Sequence, residues 1–80
     1  MMEHTVTVYS TPACSWCQAA KEHLRSHNVS FDDIDVSADM DRAREMVEKS
    51  GQYGVPVLDI DGEIVIGFDR TRINALLEIS

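Results

Sequence analysis

Basic side chains are scarce in this chain. Seven Lys and Arg stand against fourteen Asp and Glu, for a formal charge of −7. Nucleic-acid binding needs clustered Lys and Arg. Here the few bases are dispersed, most of them within four positions of an acid on segments that read as helix. The acidic excess reads as solubility rather than as a binding patch. Long apolar runs are missing too: no stretch reaches about 18 apolar residues, so no membrane partner or spanning helix is expected. The opening Met1-Met2-Glu3-His4-Thr5 has neither the basic nor the apolar region of a secretion leader. The expected location is therefore the cytoplasm, where thiols are kept reduced. Cysteine is down to a single pair, Cys14 and Cys17, and proline to Pro12 and Pro56.

What is present fits one small domain over residues 1–80. A chain of this size buries about 60–65% of its unfolded surface. Thr5 to Tyr9 is a β-branched and aromatic run, which predicts a strand. From Cys14 to about His27 the chain carries Ala, Gln, Lys, Glu and Leu after a proline, which predicts a helix. Phe31 to Val36 predicts a second strand. A second helix is expected from Asp39 to about Lys49, capped by Ser37 or Asp39 and ended at Ser50-Gly51. Met40, Ala43 and Val47 would form its core face. Residues 57–60 and 63–66 read as two strands joined by Asp61-Gly62, a dipeptide suited to a type I′ hairpin. Asp69 suits the N-cap of a last helix with Ile73, Leu76 and Leu77 inward. The order is β-α-β-α-β-β-α. Its βαβ opening implies parallel strands and its closing hairpin an antiparallel one. The fold class is α/β, with a mixed four-stranded sheet.

The cysteine pair admits three roles. As a staple it closes a very short loop, which removes little unfolded-chain entropy, about 2 kcal/mol. As a zinc site it supplies two ligands of four. On a continuous helix His23 lies roughly 240° around from Cys17, and His27 roughly 20 Å along from Cys14, so the four cannot converge. His4, His23 and His27 are expected to be solvated, and no metal is expected. The third role, a reactive dithiol, fits best. The first thiol of a pair at the start of a helix faces unpaired N–H groups and the positive end of the dipole, which favours the attacking thiolate. The second, one turn deeper, can resolve a mixed disulfide. A Cys-x-x-Cys beside a βαβ pattern is itself a signature of redox sites.

Forty residues on, Gly54-Val55-Pro56-Val57 leads into the third strand. A proline here is either a plain start to an edge strand or a cis proline. In the second case the Val55 backbone is left free to pair with an extended peptide.

With these motifs in order the chain resembles the glutaredoxins of the thioredoxin superfamily over nearly its whole length. Tyr9-Ser10-Thr11-Pro12-Ala13-Cys14-Ser15-Trp16-Cys17 stands where they carry the active-site strand and Cys-Pro-Tyr-Cys. Gly54-Val55-Pro56 stands for Thr-Val-Pro, and Gly67-Phe68-Asp69 for Gly-Gly-x-Asp-Asp. The resemblance implies the minimal thioredoxin fold. It implies thiol–disulfide oxidoreduction, with Cys14 as nucleophile and Cys17 as resolving thiol, acting on protein or glutathione mixed disulfides. It implies no bound cofactor, with glutathione as co-substrate. The Val55 backbone beside Pro56 would take the cysteinyl part of glutathione or a substrate strand, Phe68 and Asp69 would hold the glutamyl end by backbone and side chain, and Gly67 is a further binding residue. The expected state is a monomer.

Several positions differ from the family pattern. Thr11 stands where many relatives have Lys or Arg, with Lys21, roughly 10 Å along the helix, as the nearest downstream base. Gln52 is a donor without charge. Ile66 replaces a glycine and Arg70 an aspartate. These differences support a second reading: a redoxin reduced by a thioredoxin-reductase-like flavoenzyme that donates hydrogen to a dedicated protein such as ribonucleotide reductase. Ser15 supports a third, because some relatives with Ser there hold an iron–sulfur cluster between two monomers. Trp16, Tyr53 and Phe68 each adjoin one motif loop and are expected to rim Cys14 as an apolar collar for protein substrates.

Overall fold

The structure is a computed structural model and describes residues 4–79. Met1 to Glu3, on which the leader argument partly rests, lie outside the described residues.

Strand β1 (Val6–Ser10) runs into helix α1 (Ser15–Ser26) and returns as β2 (Asp32–Asp35). Helix α2 (Met40–Ser50), strands β3 (Val57–Ile60) and β4 (Glu63–Ile66), and helix α3 (Arg70–Leu77) follow. The sheet order is β2-β1-β3-β4. β1 pairs parallel with β2 and antiparallel with β3, and β3 pairs antiparallel with β4. This is the expected mixed sheet. One alternative is corrected: β3 is an inner strand, and Pro56 stands just before it rather than on an edge. The Val55–Pro56 peptide is cis.

Strand alternation sorts the side chains into two layers. Val6, Val8, Leu58, Ile60 and Val65 face Ala20 and Leu24 of α1 and Ile73 and Leu77 of α3. Tyr9 and Val57 face Met46 of α2. The α2 face differs from its expected one. Met46 is buried, but Met40, the first residue of α2, is 80% exposed. The cap is Asp39, which accepts the N–H groups of Asp41 and Arg42 at 3.1 and 3.2 Å. Gly51, at φ +74°, ends the helix in the left-handed conformation that glycine adopts freely. Asp61 and Gly62 both have positive φ, as a type I′ turn requires. No described helix is long and apolar enough to cross a membrane.

The bases pair with acids beyond their own helix as well as along it. Lys21 is buried and reaches Asp33 on β2 at 3.0 Å; Lys49 reaches Asp59 on β3 at 2.8 Å. Both helices lie on the sheet, so a base on an inner face meets strand carboxylates. The expectation that the histidines are all solvated is corrected. His4 pairs with Asp61, and His23 is buried with Nε2 2.6 Å from Asn74 Oδ1. His27 packs edge-on to His23.

Candidate active site

The short loop after β1 delivers Cys14 to the start of α1. Cys14 is extended at φ −91° and ψ 113°, so it is the N-cap rather than the first helical residue. Its Sγ accepts the backbone N–H of Cys17 at 3.1 Å, the bond that a Ser or Asp side chain makes at an ordinary cap. A sulfur in that position receives a donor and the positive helix end together. The loop is closed by Cys14 N–H donating to the Thr11 carbonyl at 3.3 Å.

Cys17 lies in the first turn of α1 and is fully buried. Burial, and then its hydrogen bond with Cys14, push the Cys17 thiol up to about 11, against a backbone hydrogen bond from Thr11 and, more weakly, the charge of Lys21. The pair is thus asymmetric: one sulfur is partly open, and the other is enclosed and protonated at neutral pH.

The cis Val55–Pro56 segment approaches from the far side. Cys14 Sγ lies 3.9 Å from the Val55 carbonyl oxygen. The Val55 N–H has no hydrogen-bond acceptor among the described residues. Pro56 is buried behind it, and its carbonyl accepts Gly67 N–H at 2.8 Å, which ties the third motif loop to the second. An open groove of about 260 Å³ results, lined by Trp16, Val55, Pro56, Gly67 and Phe68. Three motif loops that are distant in sequence therefore meet beside Cys14.

The other expected site residues stand differently. Thr11 and Ser15 flank the cysteine loop without lining the groove. The Gln52 side-chain amide is engaged within its own loop: Oε1 accepts Gly54 N–H at 2.6 Å and Nε2 donates to the Gly54 carbonyl at 3.0 Å. The Asp69 carboxylate accepts Arg72 N–H at 3.2 Å and caps α3.

The collar forms in part. Trp16 is exposed and its ring centroid lies 6.4 Å from that of Phe68, which is half-buried against the core. Tyr53, 85% exposed, lines a different groove of about 350 Å³ with Val36, Met40 and Val47. It lies on the α2 side of the chain, in the loop where Gln52 bonds Gly54.

One cluster was not anticipated. Lys21 Nζ donates to Asp33 Oδ2 at 3.0 Å and to Ser10 Oγ at 3.4 Å, and Ser10 Oγ donates to Asp33 Oδ1 at 2.9 Å. Burial works against ionisation of Asp33, but the bonds from Lys21 and Ser10 outweigh it and hold the carboxyl below its usual range. The sequence does carry a signal: Cys17, Lys21 and Leu24 fall on one face of α1 at i, i+4 and i+7.

A glutaredoxin family profile matches residues 6–65. A glutaredoxin-like protein of 8.6 kDa in the rubredoxin operon of Clostridium pasteurianum is 47% identical over 73 residues, covering 91% of this chain and 97% of that one. Among solved structures, a mutant of the thioredoxin-like protein BC3987 superposes with a TM-score of 0.90 at 33% identity, covering 95% and 97% of the two chains. The glutaredoxin-like NrdH-redoxin of Escherichia coli, described as having a thioredoxin-like activity profile, superposes at 0.81 with 25% identity, covering 90% and 93%. With its motif loops joined around a Cys-x-x-Cys on a thioredoxin fold, the chain belongs to the glutaredoxin family, whose chemistry is thiol–disulfide exchange.

Proposed function

We propose that this chain reduces protein disulfides through Cys14 and Cys17. The observation that carries the reading is the asymmetry of the pair: Cys14 at a helix cap beside an open groove, and Cys17 enclosed one turn deeper. The Cys14 thiolate attacks one substrate sulfur. A mixed disulfide forms and the other substrate sulfur leaves. Cys17 then loses its proton and attacks Cys14 Sγ, the substrate departs as a thiolate that takes up a proton, and the dithiol is left oxidised. An extended substrate strand would hydrogen-bond to the unpaired Val55 N–H and lie over Trp16 and Phe68.

If so, Trp16→Ala slows reduction of a protein disulfide by about tenfold or more, in keeping with the loss of an aromatic anchor that the substrate would cover. Reduction of a small aliphatic disulfide should fall by less than about twofold under the same conditions. Equal losses on the two substrates would remove the collar from the account.

Two electron donors are in view, and the groove favours a flavoenzyme of the thioredoxin-reductase type. Among the described residues no basic side chain lines it, Thr11 stands where a base would clamp a carboxylate, and the Gln52 amide is occupied. The likeness to a redoxin with a thioredoxin-like profile supports the same reading, and hydrogen donation to a dedicated protein such as ribonucleotide reductase goes with it. Glutathione as co-substrate is the alternative that family membership favours. A paired turnover assay on one protein disulfide separates them, one arm with NADPH and thioredoxin reductase, the other with glutathione and its reductase. The expected result is faster turnover in the first arm. The reverse makes glutathione the donor, and silence in both overturns the reductase reading.

A further inference from the structure

Lysine is almost never fully buried unless it is paired, and Lys21 is 6% exposed. Its partner Asp33 sits at the sheet edge with a side chain 43% exposed. Such a pair adds little net stability over an apolar side chain of the same length. Packing alone therefore does not account for a charge on the inner face of α1. Its location offers a reason. One helical turn separates Cys17 from Lys21, which places their Cβ atoms roughly 5–6 Å apart. Asp33 and Ser10 hold the ammonium from the β-strand side. A second groove, of about 280 Å³ and lined by Ser10, Pro12, Gln18, Lys21, Asp33 and Asp35, brings solvent to the cluster.

We propose that Lys21, held by Asp33 and Ser10, is the positioning residue that stabilises the Cys17 thiolate as it forms, so that the second half of the exchange proceeds at neutral pH. This rests on the dithiol reading above. Cys17 gives its proton to water and attacks Cys14 Sγ; the Cys14–substrate S–S bond breaks, the Cys14–Cys17 bond forms, and the leaving thiolate is reprotonated. No further oxidant or reductant enters. The charged and titratable groups facing Cys17 are Cys14 and Lys21 on α1, with Asp33 and Asp35 on β2 behind Lys21, and Arg25 acting on Asp33 from the next turn of α1.

Charge makes a prediction that a structural clamp does not. Lys21→Met removes the cation and leaves Asp33 unpaired, so the Cys17 thiolate is disfavoured. Asp33→Asn keeps an acceptor for Lys21 and Ser10 but frees the ammonium charge to act on Cys17. The two substitutions therefore move Cys17 in opposite directions. Thiolate absorbance against pH, in a Cys14→Ser background where Cys17 is the sole thiol, reads the midpoint. It should rise by about one pH unit in Lys21→Met, which is about tenfold less thiolate at neutral pH, fall in Asp33→Asn, and hold in Lys21→Arg. In the dithiol chain a chromogenic aryl disulfide releases one aryl thiolate when Cys14 attacks and a second when Cys17 displaces it. Lys21→Met should slow the second release about tenfold and leave the first within about twofold. Midpoints that move together, or do not move while both thiolates are still released, overturn the role of Lys21. Loss of the second release in the unsubstituted chain overturns the dithiol reading instead.

Discussion

Cys14→Ser is expected to lower disulfide turnover by about three orders of magnitude or more, because the attacking thiolate has no substitute elsewhere in the groove. Cys17→Ser should fail differently. The first attack survives and the mixed disulfide on Cys14 persists, visible by mass spectrometry as one substrate bound per chain. The two thiols should also label in sequence. The Cys17 thiol, pushed up to about 11 by burial and the Cys14 hydrogen bond, is almost wholly protonated at neutral pH, so iodoacetamide should modify Cys14 first. Raising the pH toward 11 should bring Cys17 into reaction. The same shift sets a stability trend for the reduced chain: Cys17 binds its proton more tightly folded than unfolded, so stability falls as the pH rises from the ordinary thiol range toward about 11. Labelling of Cys17 ahead of Cys14 would reverse the assignment of attacker and resolver.

Leu58→Ala should produce the second large effect, on stability. Leu58 is fully buried in the inner strand β3, between Val8 on β1 and Val65 on β4. Truncating a buried leucine costs about 2–5 kcal/mol, through lost transfer energy and the cavity left behind. A domain of this size has only about 4–12 kcal/mol in total. At about 4–8 °C per kcal/mol for a small domain, the Tm should fall by about 8–40 °C. Ile66→Ala, at a half-exposed position on β4, should cost less than about 1 kcal/mol. Equal losses for the two variants, read from urea unfolding with an unchanged slope, would mean that the core is not centred on β3.

What could be read before folding was local. A cap needs one side chain and two or three following N–H groups, so Asp39 and Asp69 were legible. The type I′ turn needs two residues, and Asp61-Gly62 supplies them. Cys14 and Cys17 lie one helical turn apart, so their relation was legible too. What escaped depends on which strand lies against which helix. Lys21 finds Asp33 only because β2 is parallel to β1 and passes beside α1. His23 is enclosed because Asn74 and Phe68 come back to it from the end of the chain. Tyr53 leaves the collar for the α2 side, beside Val36, Met40 and Val47, and the Gln52 amide is engaged with Gly54, placements that spacing alone does not give.

Strand order has a last consequence for solubility under stress. β2 is an outer strand of the sheet, with unpaired backbone groups along its free side. Exposed edges of this kind recruit strands from other chains and seed fibrils unless something repels them. Three of the four β2 residues are aspartates, Asp32, Asp33 and Asp35. Through its bonds with Lys21 and Ser10, Asp33 keeps its negative charge further into acid than a free aspartate would. The strand that supplies the lysine's counter-ion thus also carries the charges that keep neighbouring chains from docking edge to edge.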